Sequence, residues 1–261
     1  MKIWGGALAL VIATAAAGQA LAADDGFELT GLVGFDYSSG DYGTGIDTNI
    51  LRVPLGLRAT TGPLRLTASI PYERIEGAAN IISGDGGGPI IVDPSAPIEK
   101  VTREGWGDLA LGASYTLPAS ITGALEVDLN GRVKLPTGDD ELSTGETDYS
   151  VGTEASYPLG AWTPFASLGY KMRGDPEGVD LDNTINASIG TSYAVTDRSV
   201  VIVSYDYDQA STSGVDDSHS LFAGYSAPLV GRVNWTIYGV AGLSDGAPDA
   251  EGGLLLSVPF L

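Results

Sequence analysis

The stretch ALEVDLNGRVKLPTGD, residues 124–139, alternates between apolar and charged or polar side chains. Leu125, Val127 and Leu129 occupy odd positions, whereas Glu126 and Asp128 occupy even ones. A period of two places the two sets on opposite faces of a β-strand. A soluble sandwich would bury the apolar face, and a membrane barrel would expose that face to lipid. The face that points inward therefore decides the fold.

The same alternation recurs along the chain and predicts twelve strands. Their approximate ranges are 27–39, 50–60, 64–75, 106–117, 124–135, 149–159, 162–173, 184–195, 200–210, 218–229, 234–244 and 252–261. An even number of strands of about 9–11 residues suits a barrel that spans a membrane. The predicted fold is an all-β, membrane-spanning antiparallel up-and-down barrel of about 12 strands over residues 23–261.

The connections between the predicted strands alternate in length. Short ones lie at 60–63, 118–123, 160–161, 196–199 and 230–233, and long ones at 40–49, 76–105, 136–148, 174–183, 211–217 and 245–251. Outer-membrane barrels sort their connections in this way, with tight periplasmic turns and longer outer loops. The longest connection is rich in Gly and Pro, and whether it gates a pore stays open at this point.

Aromatic residues of the apolar face concentrate near the predicted strand ends. One group lies near the short turns or the C-terminus: Tyr115, Tyr157, Trp162, Tyr193, Tyr225, Trp235 and Phe260. A second group lies near the long loops: Tyr37, Tyr72, Tyr149, Tyr170 and Tyr207. Folded into a barrel, the two groups form aromatic belts at the two membrane interfaces. The apolar face is therefore predicted to contact lipid, and the charged face to surround the lumen.

The N-terminal residues 1–22 are typical of a cleaved signal peptide. Lys2 precedes an apolar segment at 3–18, and Ala20-Leu21-Ala22 forms a small-x-small cleavage site. An N-terminal membrane helix is the alternative. The chain contains no cysteine, which excludes a lipid-modified Cys after the cleavage site and any disulfide. These features predict export to the outer membrane of a Gram-negative bacterium.

Five segments follow one another in an order typical of one protein family: GWGDLALGASYTL (105–117), VKLPTGDDELSTGETDYSVG (133–152), TPFASLGYKMRGDPEGVDLDN (163–183), SYDYDQAS (204–211) and GLSDGAPD (242–249). Over roughly residues 105–261, the chain resembles a transporter-like bacterial outer-membrane family named for the meta-pathway of phenol degradation. The resemblance implies a barrel with a transport role, and only its name implies aromatic compounds. Such barrels usually end on an aromatic residue that the barrel-assembly machinery recognises, whereas here Phe260 is followed by Leu261.

The charged face supplies the candidate lining of a pore. Its members are Arg52, Arg58, Arg65, Asp108, Glu126, Asp128, Arg132, Lys134, Glu154, Lys171, Arg173, Asp206 and Asp208. A charge that faced lipid near the midplane would cost about 2–4 kcal/mol, so inward placement is expected. The residues either line an open path that selects solutes by charge or fill a closed barrel with ion pairs. Inward glycines, for example Gly112, Gly152, Gly169 and Gly190, indicate free volume or simply permit coiling of the wall.

No motif predicts catalysis, a metal or a cofactor. The acidic segments at 139–148, 175–182 and 216–217 suggest a solvated outer surface, a mouth that attracts cations, or a Ca²⁺ site, although their spacing matches no EF-hand. His219 is the only histidine, and Ser218 and Ser220 beside it would point to the opposite face of a strand. An enzyme is therefore not expected.

The predicted function is passive passage of small molecules, with polar or aromatic organic solutes as candidates. The alternative is a closed structural or surface-interaction barrel whose acidic loops bind partners or cations. The expected partners are outer-membrane lipid and lipopolysaccharide, the barrel-assembly machinery and a small-molecule solute, with the chain as a monomer or a small homo-oligomer. The net charge of −20 argues against nucleic acid.

Overall fold

The structure is a computed structural model that describes residues 26–82, 90–91, 99–213 and 215–260. The predicted signal peptide at 1–22 lies outside the described residues. The strands are β1 (Phe27–Gly40), β2 (Thr48–Thr61), β3 (Leu64–Ala78), β4 (Ile81–Ile82), β5 (Ile90–Ile91), β6 (Lys100–Trp106), β7 (Leu109–Thr116), β8 (Glu126–Leu135), β9 (Asp148–Ser156), β10 (Trp162–Met172), β11 (Thr184–Thr196), β12 (Ser199–Asp208), β13 (Ser218–Val230), β14 (Val233–Gly242) and β15 (Ala250–Pro259). One helical turn, α1 (Ala119–Thr122), lies between β7 and β8.

The main sheet closes on itself. The strands of the main sheet pair antiparallel in chain order, apart from β6 and β7, which both pair with β3, and the first strand, β1, also pairs with the last, β15, from Thr30↔Pro259 to Ser39↔Ala250. β6 and β7 both pair with β3 and together occupy one position, so the wall has twelve positions. Closure gives each wall strand a partner on both sides, except that β6 pairs with β3 alone. The predicted antiparallel barrel of about 12 strands is confirmed.

One wall strand is interrupted where the sequence predicted a continuous one at 106–117. β6 pairs with β3 from Tyr72 to Ala78, and β7 pairs with it from Leu64 to Ser69. The interruption falls at Gly107 and Asp108, where Gly107 N donates a hydrogen bond to Pro71 O at 2.8 Å. The predicted loop 76–105 is accordingly shorter, because β3 and β6 extend into it. Within it, β4 and β5 pair as Ile81↔Ile91 and Ile82↔Ile90.

The stretch 124–139 shows which face points outward. Leu129 is 48% exposed, whereas the adjacent Asp128 is 4% exposed. β12 has the same division, since Val201 and Val203 are exposed while Asp206 is buried. The large hydrophobic side chains of the wall therefore lie mostly on the outside and the charged ones inside. This arrangement is the reverse of a soluble sandwich, and a continuous apolar exterior of this extent suits lipid.

The connections alternate between the two ends of the barrel, and most of the shorter ones lie at one end, as the sequence predicted. Those at 62–63, 117–125, 157–161, 197–198 and 231–232 define the short-turn end, although 117–125, which contains α1, is longer than two connections of the other end. Those at 41–47, 79–99, 136–147, 173–183, 209–217 and 243–249 define the long-loop end. No helix among the described residues has the length and apolar character needed to cross a membrane.

The outward placement of Leu129 yields a stability prediction. Leu129→Arg should lower the free energy of unfolding in lipid vesicles by about 2–4 kcal/mol, because the new charge would face hydrocarbon near the middle of the strand. Leu159→Arg is the matched control, since Leu159 is exposed in the connection 157–161, where the cost should be at most about 1 kcal/mol. Urea unfolding followed by tryptophan fluorescence measures both. Equal losses would contradict the assignment of the outer face.

Candidate functional site

The charged residues predicted to line the lumen are gathered on the inner face of the barrel, with one exception. Eight of them are buried: Arg52, Arg58, Asp128, Lys134, Glu154, Lys171, Asp206 and Asp208. Four are half-buried: Arg65, Asp108, Arg132 and Arg173. Glu126 is exposed, because it is the first residue of β8 and lies at the short-turn rim. The interior is therefore the candidate site.

Arg52 lies within an acidic cluster on β1, β2, β3 and β15. Its Nε donates to Glu73 Oε1 at 2.6 Å, and its Nη1 lies 3.5 Å from Asp36 Oδ1. The charge of Glu251 on β15 also acts on this guanidinium. The sequence-based set omitted these three carboxylates, although each follows the inward parity of its strand. Three acids around one cation make this part of the interior negative.

A second cluster around Lys134 is balanced in charge. Lys134 Nζ lies 2.9 Å from Asp108 Oδ2 and 3.5 Å from Asp148 Oδ2, and Arg173 Nη1 lies 3.9 Å from the same Asp148 oxygen. The side chains of all four residues are at most 8% exposed. Such buried ion pairs occupy interior volume and link β8 to the start of β9, to the residue after β10 and to the break before β7. This region fits the interpretation of ion pairs that fill the barrel.

Asp108, at the interruption between β6 and β7, fastens the loop 136–147 to the wall. Its Oδ1 accepts hydrogen bonds from Thr137 N (3.1 Å) and Gly138 N (2.9 Å), and its Oδ2 accepts one from Ser143 Oγ (2.7 Å). In return, Asp139 Oδ2 accepts a hydrogen bond from the backbone of β6. We call this set of contacts the Asp108 latch.

Two glycines make the close approach of the Asp108 latch possible. A Cβ at Gly105 would collide with the Asp139 carboxylate. A Cβ at Gly138 would lie 2.8 Å from the backbone carbon of Gly107. Both contacts would be shorter than 3.0 Å, which Cβ atoms essentially never show. Glycine at these positions therefore allows the segments GWGD (105–108) and PTGD (136–139) to pack directly against each other.

The loop 136–147 reaches across the barrel at the long-loop end. Leu142 is 3% exposed and packs against Ile50 of β2 and Ile75 of β3, both of which face inward. Arg103 Nη1 on β6 donates to Glu141 O at 3.0 Å and supports the same loop. The loop therefore narrows the interior on the side of β2 and β3.

Further loop contacts close around the same end. Tyr42 from the connection 41–47 packs with Ala78 and Ile81, and Ile82 and Ile90 pack with Leu181 of another loop. Tyr42 adopts φ +50°, a left-handed conformation that is unusual outside glycine, and its hydroxyl donates to Ser38 Oγ at 3.2 Å. Burial raises the pKa of Tyr42 to about 12. The long loops thus form apolar contacts across the mouth.

The interior also contains an apolar cluster that the sequence-based prediction did not include. It consists of buried residues on β10, β12, β13 and β14: Phe165, Val200, Ile202, Phe222 and Val240. Tyr238 packs against it and stacks on Phe222 with ring centroids 5.8 Å apart and an interplanar angle of 25°. The inner wall therefore combines this apolar cluster with charged residues, and three of those, Lys171, Asp206 and Asp208, lie on β10 and β12 together with it.

At three of the inward glycines, Gly112, Gly169 and Gly190, neighbouring side chains occupy the space next to the Cα. The ring of Phe165 covers Gly190 so closely that a Cβ there would lie 2.6 Å from Cζ. A Cβ at Gly112 would lie 2.5 Å from the hydroxyl oxygen of Thr67. The side chain of Asn186 occupies the corresponding space at Gly169. Larger neighbours on the adjacent strands fill these spaces. At these three positions the structure favours coiling of the wall over free volume.

The aromatic residues predicted for the belts lie on the outer face. Tyr72, Tyr115, Tyr149, Tyr157, Trp162, Tyr170, Tyr193 and Phe260 are exposed, and Tyr207, Tyr225 and Trp235 are half-buried. Several form ring pairs across neighbouring strands, namely Tyr72–Trp106 at 5.4 Å, Trp162–Tyr193 at 4.7 Å and Tyr225–Trp235 at 5.7 Å. Trp106 was not in the predicted set. Their positions near the strand ends agree with a membrane-interface role, which stays a prediction.

Ser218 and Ser220, the serines next to His219, do not form a triad with it. Ser218 and Ser220 are buried on the inner face, whereas His219 Nδ1 lies 2.5 Å from the hydroxyl of the exposed Tyr205. The neighbouring serines therefore point away from the imidazole, as the strand parity predicted. Among the described residues, no group of three or more His, Cys, Asp or Glu side chains could hold a metal ion.

The model of one protein family, described as "Putative MetA-pathway of phenol degradation", matches residues 57–236. The chain belongs to this family. The match confirms the resemblance over four of the five segments, at 105–211, and extends it into β2 and β3, while the segment 242–249 lies outside it. No curated protein sequence matches the chain.

Solved structures with a similar fold include OmpT, an outer-membrane protein of Vibrio cholerae (9% identity, TM-score 0.39, 90% of this chain and 97% of that chain). A mutant of the TodX monoaromatic hydrocarbon channel is similar at 11% identity and a TM-score of 0.42, covering 89% and 88%. An anion-selective porin from Comamonas acidovorans is similar at 13% identity and a TM-score of 0.43, covering 90% and 99%.

The Asp108 latch yields a second stability prediction. Asp108→Ala should destabilise the chain by about 3 kcal/mol, because the buried Lys134 loses one of its two carboxylate partners and the donors of the loop 136–147 lose their acceptor. The loop 136–147 should also become sensitive to a protease added from outside. Asp140→Ala removes the same charge from an exposed position of that loop and should change neither property. Unfolding midpoints and limited proteolysis measure the difference, and equal behaviour of the two variants would rule out the latch.

Proposed function

We propose that the chain is an outer-membrane channel for passive passage of small organic molecules. The observation that carries this proposal is the mixed interior of the closed barrel, which has charged side chains on β2, β3, β8, β9, β10 and β12 and an apolar, partly aromatic cluster on β10, β12, β13 and β14. A solute with an apolar ring and a polar substituent finds matching chemistry for both of its parts. The family description, which refers to phenol degradation, supports the same class of solute.

The surroundings of the channel follow from the same arrangement. The long-loop end would face outside, the short-turn end would face the periplasm, and the exposed aromatic pairs would lie at the lipid headgroups. Residues 1–22 would direct export, and the C-terminal segment with Phe260 would be recognised by the barrel-assembly machinery. No covalent chemistry is proposed, since the interior acts by shape and charge.

A closed barrel is the second candidate, and a specific observation favours it. Leu142 packs onto Ile50 and Ile75 across the long-loop end, and the balanced Lys134 cluster fills part of the interior. A barrel closed in this way would serve as a structural or surface-interaction protein through its acidic loops. Both candidates share the same fold and differ in whether solutes cross it.

Planar-bilayer conductance tests the channel. The full-length chain reconstituted in lipid should give discrete current steps, and Leu142→Gly should increase their conductance because it removes the side chain that packs across β2 and β3. Leu243→Gly is the control, since Leu243 is exposed in the connection 243–249. Absence of current from both the unmodified chain and Leu142→Gly would favour the closed barrel.

Solute flux into liposomes tests the apolar wall. Phe222→Ser should reduce the entry of p-cresol relative to erythritol several-fold, because it removes the ring that stacks with Tyr238. Leu221→Ser changes the adjacent residue on the lipid face and should leave the ratio unchanged. An unchanged ratio in Phe222→Ser would mean that the aromatic cluster serves packing alone.

A further inference from the structure

Two inward arginines near the short-turn end differ from the other inward cations. Arg58 and Arg65 flank the hairpin turn between β2 and β3. No carboxylate of the described residues forms an ion pair with either guanidinium within 4.0 Å. Arg52 and Lys134, by contrast, each have two carboxylates within that distance.

The strand register brings the two arginines together on one face. Arg58 lies opposite Thr67, and Arg65 lies opposite Thr60, so the arginines are diagonal neighbours with Cα atoms about 7–8 Å apart. The positive charge of Arg65 acts on Arg58. Among the described residues, the acid whose charge acts on Arg58 is Glu28, which is exposed at the start of β1. Two like charges thus adjoin each other with little compensation.

The surroundings of the pair are polar and suit an anion. Arg58 is 4% exposed, and its Nη1 has no hydrogen-bond partner among the described residues. Such a buried donor is costly unless an acceptor reaches it. Arg65 is half-buried and so remains accessible from the interior. The register places hydroxyl side chains on both sides of each arginine: Thr30 and Thr67 beside Arg58, and Thr60 and Ser114 beside Arg65.

We propose that Arg58 and Arg65 form a binding site for a small organic carboxylate inside the barrel. The proposal rests on the proposed function, because it names the charge class of the solute that the channel carries. A guanidinium binds a carboxylate through two parallel hydrogen bonds, and two adjacent guanidinium groups with hydroxyl neighbours offer donors to both of its oxygens. Arg52 and its acidic cluster lie six residues before Arg58 in β2, toward the long-loop end, so the site is separate from that cluster.

Isothermal titration of the full-length chain in detergent with benzoate tests the site. The unmodified chain should bind benzoate and should bind the uncharged analogue benzamide at least about tenfold more weakly, which corresponds to the loss of one charge-assisted hydrogen bond. Arg58→Gln and Arg65→Gln should each weaken benzoate binding by about tenfold. Arg58→Lys keeps the positive charge but lacks the planar pair of N–H donors that binds both carboxylate oxygens, so it should give an intermediate affinity.

Arg232→Gln is the matched control, since it removes one positive charge from an exposed turn at the same end. Its benzoate affinity should equal that of the unmodified chain, and circular dichroism verifies the fold of each variant. Equal binding of benzamide, or equal benzoate affinity in Arg58→Gln, Arg65→Gln and Arg232→Gln, would overturn the site. The measurement needs no transport, so a chain that binds benzoate but passes no current would refute the channel and retain the site.

Discussion

The exclusion of charge from lipid is the constraint on which the rest of this structure depends. Because side chains alternate along a strand, a wall that turns Leu129 and Val203 outward has to turn Asp128 and Ser204 inward. The ionised groups of twelve wall positions therefore accumulate in one enclosed space. There they have to be neutralised, and the Lys134 cluster does this with equal numbers of acids and bases. Elsewhere the charges are unequal, and those places can recognise a charged solute.

The alternation in the sequence was sufficient to predict the wall. Its period identified the strands, their two faces and the end to which each loop belongs, because lipid on one side makes the pattern strict. It failed at the interruption before β7. Before the break an odd-numbered residue, Gly105, is buried, and after it an even-numbered residue, Ala110, is buried. The inward face therefore changes from odd to even positions across the break. The reason for the break is a distant one, since Asp108 there binds a loop that begins about thirty residues later.

The apolar part of the interior could not be read from the same pattern. The alternation shows which residues face inward, but it does not determine whether the inner face is polar or apolar. A narrow barrel interior accepts apolar side chains as well as ionised ones. The sequence contains one indication, since in two places the two faces of a strand do not differ in polarity. Residues 200–203 are Val-Val-Ile-Val, and the strand predicted at 234–244 has small or apolar residues on both faces. Nor could the inward glycines reveal whether they left space. Phe165 fills the space at Gly190 from a neighbouring strand.

The segments that carried the family resemblance have a structural explanation. GWGD at 105–108 and PTGD within 133–152 contact each other through Asp108 and Asp139, and Gly105 and Gly138 allow their backbones to meet. These residues fix how a loop is fastened inside the barrel, and no free acceptor or donor is left for a solute at Asp108. Similarity in these segments therefore reports the construction of the barrel. The chemistry of the solute has to be decided elsewhere, at the aromatic wall and at Arg58 and Arg65, where the described structure leaves hydrogen-bonding capacity and charge uncompensated.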